Sequence, residues 1–458
     1  MCTRALASSG STASRSTHAC PAPSTTTSAA PATTAAGSPG RSASSRARPP
    51  MLSPYRVIDL ADDRGIFCGR VLADLGAEVI KVEPPAGDPA RRIGPFHHDE
   101  PGVENSLFWQ LYAANKKSAA LDIEADAARD ALRRLIGSAD FLVESFRPGY
   151  IDDLGLGYDD VRALNPALVY VSITPFGQDG PYRGFAATDL TGSALSGFAY
   201  LTGDPDRPPL RVSVPQFWTL GGAAGAAGAM TAHAHRLHTG RGQHVDVSCQ
   251  QALTRTLSHA PQFWDMNEII LKRSGPFRPI GDGRNLRVNF DCADGYVNYI
   301  QPGGATGGRG MAALCEWMDE HGEGHPLLNE TDFGAYGFGQ LPDDVLDAMS
   351  ETLEAFFRSR TKRYLSEEAI KRRVLLFPVN DPADVCSYPQ LAARGFFREA
   401  EGPDGGKMTT LGPWVKTSER PPQHRRAPRL GEHTEEVLTS VGLSPDEIAD
   451  LRASGAAR

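Results

Sequence analysis

A strand, a helix and a second strand follow one another directly within residues 56–83. The first strand pattern covers residues 56–60, the helical pattern ends at Gly76, and the second strand pattern covers residues 77–83 and stops at two prolines. Glycine commonly follows the last residue of a helix, and proline cannot continue a central strand. Because two strands joined through a helix pair in parallel, this unit predicts a parallel sheet and an α/β fold.

The alternation of strand and helix patterns continues to residue 248. Further strand patterns lie at residues 141–144, 168–173 and 244–248. Helical patterns lie at residues 127–136, 159–164 and 216–237, and the last of these is rich in Gly and Ala. A hairpin pattern at residues 292–300 and helical patterns over residues 342–373 do not continue this series. They indicate a second, smaller domain.

Residues 1–50 have a composition that opposes folding. They consist largely of Ser, Thr, Ala, Pro and Arg and contain no Asp or Glu. Such a segment buries too little apolar surface to offset the cost of ordering the chain, so we predict a disordered tail over residues 1–52. An organellar transit peptide is the alternative, but the segment lacks the apolar face of an amphipathic helix. A chain start at Met51 also stays open.

The charge balance and the cysteine pattern argue against several functional classes. The chain of 458 residues has a formal net charge of −8, and without residues 1–50 it holds 42 Lys and Arg against 55 Asp and Glu, a formal charge of −13. An acidic body is unsuited to neutralising nucleic-acid phosphates. The seven cysteines are scattered and form no C-x-x-C pair, which indicates reduced thiols and a cytoplasmic location. No apolar run approaches the ~18 residues that a membrane span needs, so we predict none.

The first strand–helix turn does not carry a dinucleotide-binding motif. Glu83 ends the second strand, at the place where a dinucleotide-binding domain holds the ribose. However, the turn at residues 62–69 lacks the G-x-G-x-x-G pattern and places two aspartates where a pyrophosphate would bind. The sequence therefore argues against an NAD-dependent oxidoreductase.

Two polar loops are candidates for ligand binding. Asn115, Lys116 and Lys117 precede a strand-like segment, and Arg147 follows the strand pattern that ends at residue 144. Loops after the carboxyl ends of parallel strands line the ligand crevice of open α/β sheets, where an Arg can bind a phosphate or a carboxylate through parallel hydrogen bonds. The alternative is a solvated Lys pair and an Arg that braces its own loop.

Asp189 is the candidate nucleophile. It opens a stretch of small and apolar residues, 189–197, which is expected to form a buried helix. An Asp at the start of a helix is most often an N-cap, so the pattern alone leaves a structural and a catalytic role open. The chain has no G-x-S-x-G, H-E-x-x-H or P-loop pattern that would offer a competing centre.

Several motifs, kept in order and spacing from about residue 55 to about residue 445, resemble those of the family III CoA-transferases. This is the CaiB/BaiF family, which includes formyl-CoA and carnitine CoA-transferases. The motifs lie at residues 57–60, 73–83, 87–89, 115–118, 144–149, 154–158, 164–166, 176–178, 180–182, 239–243, 427–428 and 430–434.

The resemblance implies a fold and an assembly. It implies a Rossmann-like parallel-sheet large domain over residues 53–250 and a linker over residues 251–279. A smaller α+β domain over residues 280–385 follows, and a C-terminal segment over residues 386–458 returns to the large domain. The family also implies that two identical chains interlock as a homodimer.

The resemblance further implies the chemistry. Asp189 matches the catalytic Asp of the family, whose carboxylate passes CoA from an acyl-CoA donor to a small carboxylic acid through covalent aspartyl intermediates. CoA is then a substrate, and the reaction needs neither a permanently bound cofactor nor a metal. The family covers its site with a mobile glycine-rich loop, for which Gly281 and Gly283 are the first candidates and the glycine pairs at residues 303–304 and 307–308 the second. An ordinary surface turn is the alternative.

The residues that would hold CoA follow the family less closely. The family usually has Asn where Ser145 stands, and the loop after the first strand is one residue shorter here. On the remaining matches we expect CoA to contact Lys81, Asn115, Lys116, Lys117, Phe146 and Arg147.

Two alternative functions stay open, an α-methylacyl-CoA racemase and a CoA-binding protein without catalysis. Racemases pair the matching Asp with a His, whereas this chain has no His between His98 and His233 and has Thr188 directly before Asp189. The intact Asp189 argues against a silent protein. The sequence names neither acid and leaves a paralogous partner subunit open.

Overall fold

A computed structural model describes residues 51–280, 284–301, 303–418 and 424–458. Residues 1–50 of the predicted tail and the two first lid candidates, Gly281 and Gly283, lie outside the described residues. Leu52, which the tail prediction covered, is buried, and its backbone N–H donates to the carbonyl of Leu75 over 3.1 Å. The packed structure therefore includes Leu52.

The centre of the fold is a parallel sheet of six strands in the order β3-β2-β1-β4-β5-β6. Ile58 of β1 stands opposite Ile80 of β2 and Leu142 of β4. This is the strand order of the doubly wound dinucleotide-binding folds, so the predicted Rossmann-like α/β class is confirmed. The strands are β1 (Arg56–Asp59), β2 (Glu78–Glu83), β3 (Lys117–Ala120), β4 (Phe141–Glu144), β5 (Val169–Thr174) and β6 (His244–Ser248).

Helices cover both faces of this sheet. The helices of this part of the chain are α1 (Ile66–Asp74), α2 (Leu107–Tyr112), α3 (Asp126–Gly137), α4 (Tyr150–Asp153), α5 (Tyr158–Leu164), α6 (Asp189–Leu195), α7 (Phe217–Thr239), α8 (Cys249–Thr254) and α9 (Ala260–Asn267). Successive side chains of β1 point to opposite faces of the sheet. Val57 packs in a cluster with α1 and α7, whereas Ile58 packs in a cluster with α3. Burial on both faces explains why the strands read as continuous apolar runs.

Helix α7 approaches its neighbours through glycines. A Cβ built on Gly222 would lie 2.8 Å from the Cβ of Phe67 in α1 and 3.1 Å from the backbone nitrogen of Cys68. A Cβ built on Gly225 would lie 2.8 Å from a methyl carbon of Ile173 in β5. The Gly- and Ala-rich composition of α7 therefore allows it to pack closely against α1 and the sheet.

A second group of elements follows the large sheet. Its antiparallel sheet has the order β11-β10-β9, and its core includes Trp317, Phe356 and Phe357. The elements are β7 (Phe277–Pro279), β8 (Asn285–Arg287), β9 (Asn289–Cys292), β10 (Gly295–Tyr299), α10 (Gly304–Glu320), α11 (Pro326–Glu330), α12 (Asp343–Arg358), α13 (Lys362–Arg372) and β11 (Leu376–Val379). The hairpin predicted at residues 292–300 is the β9–β10 pair.

The C-terminal part of the chain packs on the large sheet. Ala120 of β3 donates its N–H to the hydroxyl of Thr434, and the N–H of Asp122 donates to the carbonyl of Ala456. Val437 and Ile448 join the same core cluster as Ile58. The elements of this part are α14 (Pro382–Ser387), α15 (Pro389–Ala393), β12 (Phe397–Glu401), β13 (Lys407–Leu411), α16 (Thr434–Thr439) and α17 (Pro445–Ala453). The predicted domain boundaries stay predictions.

The glycine contact of α7 can be tested by adding one carbon atom. We expect Gly222→Ala to lower the free energy of unfolding by about 1–3 kcal/mol, because its new Cβ meets the backbone of α1, which cannot move away cheaply. Gly137→Ala in α3 is the control, since nothing lies within 4 Å of its Cβ position. Urea unfolding measures both, and equal midpoints for the two variants would contradict the close contact.

Candidate active site

Asp189 is the first residue of α6 and not its N-cap. The cap is Thr188, whose hydroxyl accepts the N–H of Thr191 over 3.2 Å while the Thr191 hydroxyl accepts the N–H of Thr188 over 2.8 Å. The helix start is thus satisfied without the Asp189 side chain, and the N-cap interpretation of Asp189 is wrong. The carboxylate is free to point away from its own helix.

The two carboxylate oxygens of Asp189 have different surroundings. Oδ1 accepts the backbone N–H of Phe217, the first residue of α7, over 2.9 Å. Oδ2 lies 3.9 Å from Nε of Arg211, and the side chains of Asp189 and Arg211 are 11% and 49% exposed. A carboxylate at the N-terminus of a long helix is in a favourable electrostatic environment. Asp189 therefore has one oxygen held by the protein and one beside a partly exposed cation.

A glycine fixes α6 against α7 at this point. A Cβ built on Gly192 would lie 2.5 Å from atoms of the Phe217 ring, so the ring rests directly on the backbone of α6. Phe217 itself is fully buried. Phe217 therefore contacts α6 through its ring and donates a hydrogen bond to Asp189 through its backbone.

A cavity of about 350 Å³ opens at the carboxyl ends of β1 to β4. Its lining includes Asp62, Glu83, Asp122, Phe146 and Tyr150. This is the edge of the sheet where doubly wound folds bind their ligands. Among the residues expected to contact CoA, Phe146 lines this cavity and Lys81 contributes to its wall.

Arg147 follows Phe146 on the same loop and is exposed to solvent. The loop that carries it follows the carboxyl end of β4, at the edge of the sheet where doubly wound folds bind their ligands. The predicted contact of Arg147 with CoA stays a prediction.

Buried ion pairs occupy two of the predicted CoA-binding lysines. Lys81 Nζ lies 2.8 Å from Oδ2 of Asp88, and both side chains are almost completely buried. Lys116 Nζ lies 2.7 Å from Oδ2 of Asp59 and also donates to the carbonyl of Ile66. Burial lowers the pKa of Lys116 below its ordinary value. These ammonium groups hold the fold together, and the geometry gives no support to their predicted contacts with CoA phosphates.

Asn115 and Lys117 lie at the opposite end of the strands, at the amino end of β3. Asn115 donates to Oδ1 of Asp74 over 2.6 Å, and Lys117 lies 2.7 Å from carboxylate oxygens of both Glu78 and Glu436. The carboxyl ends of the same strands form the cavity. The structure therefore does not bring Asn115 and Lys117 together with Phe146 and the cavity.

The turn after β1 contains a polar network that the sequence did not reveal. Ser145 donates to Oδ1 of Asp62 over 2.8 Å and accepts the Asp62 N–H, and Arg64 donates to the same carboxylate. Burial raises the pKa of Asp63 to about 6 and that of Glu144 to about 7. These shifts depend on burial beside neighbouring elements, for which the sequence carries no local signal.

Within the described part of the chain, one group has the composition of a metal site. His97, His98 and Asp404 each offer a ligand atom, and these atoms lie within 4.8 Å of one another. His98 and Asp404 are exposed on the surface, and none of the three residues contacts Asp189 through a hydrogen bond or an ion pair.

Comparison with known proteins identifies the family. The model of CoA-transferase family III matches residues 52–434. The chain belongs to CoA-transferase family III. A relative, succinyl-CoA:(R)-benzylsuccinate CoA-transferase subunit BbsE of Thauera aromatica, is 38% identical over 410 residues, which cover 88% of this chain and 97% of the relative. The succinyl-CoA–D-citramalate CoA-transferase of Chloroflexus aurantiacus is 31% identical and covers 90% of this chain and 99% of the relative.

The solved structures agree with this assignment. A CaiB/BaiF family protein from Brucella suis has a TM-score of 0.73 and 28% identity, covering 86% of this chain and 100% of that chain. The predicted enzyme class is therefore confirmed: this family III member is a CoA-transferase that moves CoA between an acyl-CoA and a carboxylate. Among the described residues, no helix is both long and apolar enough to cross a membrane.

The two lysines of the same loop can be separated by mutation. We expect Lys116→Ala to lower the free energy of unfolding by about 3–5 kcal/mol, because it leaves the buried carboxylate of Asp59 without a partner. Lys117→Ala removes two partly exposed ion pairs and should cost about 1 kcal/mol or less, because solvent screens exposed pairs. Urea unfolding with and without CoA measures both effects. A stable Lys116→Ala protein with weakened CoA binding would contradict the structural role and support the phosphate contact.

Proposed function

We propose that this CoA-transferase works through covalent intermediates on Asp189. Support comes from one observation above all: the carboxylate has Oδ1 fixed by the Phe217 N–H, while Oδ2 carries no hydrogen bond from the described residues. A nucleophile needs one oxygen free to attack and a fixed orientation, and this arrangement supplies both.

The transfer proceeds in two mirrored halves. Oδ2 of Asp189 attacks the donor thioester carbonyl, the C–S bond breaks, and a mixed anhydride and CoA thiolate form. The thiolate attacks the aspartyl carbonyl and releases the donor's acid as a carboxylate, which leaves an aspartyl-CoA thioester. The acceptor carboxylate attacks this thioester, the C–S bond breaks, and a second mixed anhydride and CoA thiolate form. The thiolate attacks the acceptor carbonyl, which gives the new acyl-CoA and releases Asp189 as a carboxylate. CoA is a substrate throughout, and no bound cofactor enters a step.

The backbone of α7 has a role in this scheme. Once Oδ2 is acylated, Oδ1 becomes the carbonyl oxygen of the aspartyl group, and each attack on that carbonyl places negative charge on Oδ1. The Phe217 N–H already points at this atom over 2.9 Å. A donor aimed in advance at a developing oxyanion lowers the barrier because it needs no reorganisation.

The relatives suggest the substrates. Their names give succinyl-CoA as donor for benzylsuccinate, D-citramalate and L-malate, and others in the set act on succinate with glutarate and on formyl-CoA with oxalate. Each of the acids that exchange CoA with these donors carries two carboxylates. We therefore propose succinyl-CoA as the donor and a small dicarboxylic acid as the acceptor.

We also propose that the enzyme is an interlocked homodimer. No residue of α9 is buried in the single chain, and this helix exposes Phe263, Trp264 and Met266. Ile269 and Ile270 extend the exposed apolar patch beyond the helix. Contiguous apolar surface of this kind marks a protein–protein contact.

The free thiols, of which Cys68 and Cys249 are buried, fit a reducing compartment, so we keep the cytoplasm as the proposed location.

Mutating the patch tests the dimer. We expect Trp264→Glu to give a monomer in light scattering coupled to gel filtration, because a charge would be buried at the centre of the contact. Leu164→Glu is the control, since Leu164 and Trp264 are exposed to similar extents, 54% and 56%, and Leu164 lies apart on α5. A wild-type monomer, or a dimer that survives Trp264→Glu, would contradict the assignment of this patch.

Trapping the intermediate tests the function itself. After incubation with succinyl-CoA and a hydroxylamine quench, we expect mass spectrometry to find a hydroxamate at Asp189. Asp189→Asn keeps the side-chain shape but removes the nucleophile, so it should lose the adduct and at least ~10³-fold in kcat. Asp206→Ala, an exposed carboxylate on the segment that follows α6, should retain both.

Other results would point to the two alternatives. No adduct, together with exchange of deuterium at Cα of a 2-methylacyl-CoA, would indicate a racemase. No adduct and no exchange, with a melting temperature still raised by CoA, would indicate a binding protein without catalysis.

A further inference from the structure

Arg211 differs from the arginines that hold the fold together. Arg91, for comparison, donates to Glu83, to Glu104 and to two backbone carbonyls, and its side chain is fully buried. The guanidinium of Arg211 has no hydrogen-bond acceptor within the part of the chain that the structure describes. Its single charged neighbour there is Asp189, 3.9 Å from Nε, and the side chain is 49% exposed. Among the described residues, its N–H donors therefore have no hydrogen-bond partner beside Asp189.

The backbone that carries Arg211 is anchored. Leu210 donates its N–H to the carbonyl of Thr202 over 3.0 Å, and a Cβ on Gly203 would lie 2.9 Å from the Leu210 side chain. Arg273 ties the same segment down by donating to the carbonyls of Asp204 and Tyr200. Arg211 is thus positioned by its neighbours along the chain and does not depend on its contact with Asp189.

Acylation of Asp189 changes the charge that Arg211 faces. In the resting enzyme the guanidinium is balanced by the Asp189 carboxylate. In the anhydride Oδ2 belongs to a neutral acyl group, and in the aspartyl-CoA thioester the CoA sulfur has replaced it. In both intermediates the guanidinium therefore loses its counter-charge. A guanidinium binds a carboxylate through two parallel hydrogen bonds, and no group of the described residues 51–280, 284–301, 303–418 and 424–458 accepts from these donors of Arg211.

At this stage of the reaction a free carboxylate must lie at the same place. The acid that leaves the donor is released from the aspartyl carbon, and the accepting acid must approach that carbon to attack it. We infer that Arg211 forms a carboxylate-binding subsite beside Asp189, which the leaving acid and the accepting acid occupy in turn. The inference rests on the proposed aspartyl mechanism and adds to it the group that recognises the acid.

The subsite explains how the acids would be kept in order. While Asp189 is ionised, its own carboxylate competes with a free acid for Arg211. Once Asp189 carries CoA, this competition ends and the subsite gains affinity for carboxylates. The acid therefore binds at the stage of the cycle that can use it.

The exchange of labelled succinate into succinyl-CoA tests the inference, because succinate serves there as both the leaving and the accepting acid. In Arg211→Gln we expect the KM for succinate to rise at least tenfold, since hydrogen bonds to a charged group contribute about 1.5–3 kcal/mol. The kcat at saturating succinate should change much less. Arg211→Lys keeps the charge without the paired donors, so its KM for succinate should lie between those of the wild type and Arg211→Gln.

Arg207→Gln is the matched control, an exposed arginine on the same segment. It should leave both constants unchanged, and thermal unfolding should show that all variants remain folded. Hydroxylamine trapping from succinyl-CoA is run in parallel: Arg211→Gln should still form the Asp189 hydroxamate, because the first attack needs no free acid.

Three results would overturn the inference. In the first, Arg211→Gln lowers kcat while the KM for succinate stays unchanged, which would mean that Arg211 only orients Asp189. In the second, Arg211→Gln behaves like Arg207→Gln. In the third, the wild-type enzyme forms no hydroxamate, and the proposed mechanism fails together with the subsite. A wild-type adduct with an unchanged succinate KM in Arg211→Gln would overturn the subsite alone.

Discussion

The close packing of α7 is the constraint on which the site depends. Gly222 and Gly225 let this helix approach α1 and β5 to distances that a side chain would prevent. The position of α7 in turn sets the Phe217 N–H that holds Asp189, and Gly192 lets α6 rest on the Phe217 ring. The Asp189 carboxylate is therefore oriented by backbone contacts between helices, which are stiffer than contacts between flexible side chains.

The fold was predictable because its signals are local. The strand–helix–strand pattern of residues 56–83 needs only apolar runs, a helix-ending glycine and two prolines, and each of these acts within a few residues. Asp189 became the candidate nucleophile through its place at the start of a helix and through resemblance to the family, and its catalytic role stays a prediction. Both predictions use information that the chain carries in its immediate neighbourhood.

The contacts within the site were not predictable in the same way. Lys116 looks like half of a solvated pair in the sequence, yet it neutralises Asp59 in the core, 57 residues earlier in the chain. The capping role of Thr188 and the pairing of Arg211 with Asp189 depend on rotamers and on how segments cross in space. Periodicity and turn chemistry do not encode such distances, so charged residues were assigned to the ligand when some of them stabilise the fold.

The return of the C-terminal segment to β3 has a consequence for synthesis of the chain. Thr434 and Ala456 supply hydrogen-bond partners along β3 and the residues after it, and Val437 and Ile448 fill the core above Ile58. During translation the first strands leave the ribosome long before these partners exist. Until the C-terminal segment has been synthesised, the nascent large domain exposes an apolar face and an unpaired edge strand. This state favours aggregation. Chaperone binding to the nascent chain is expected to concentrate in this interval.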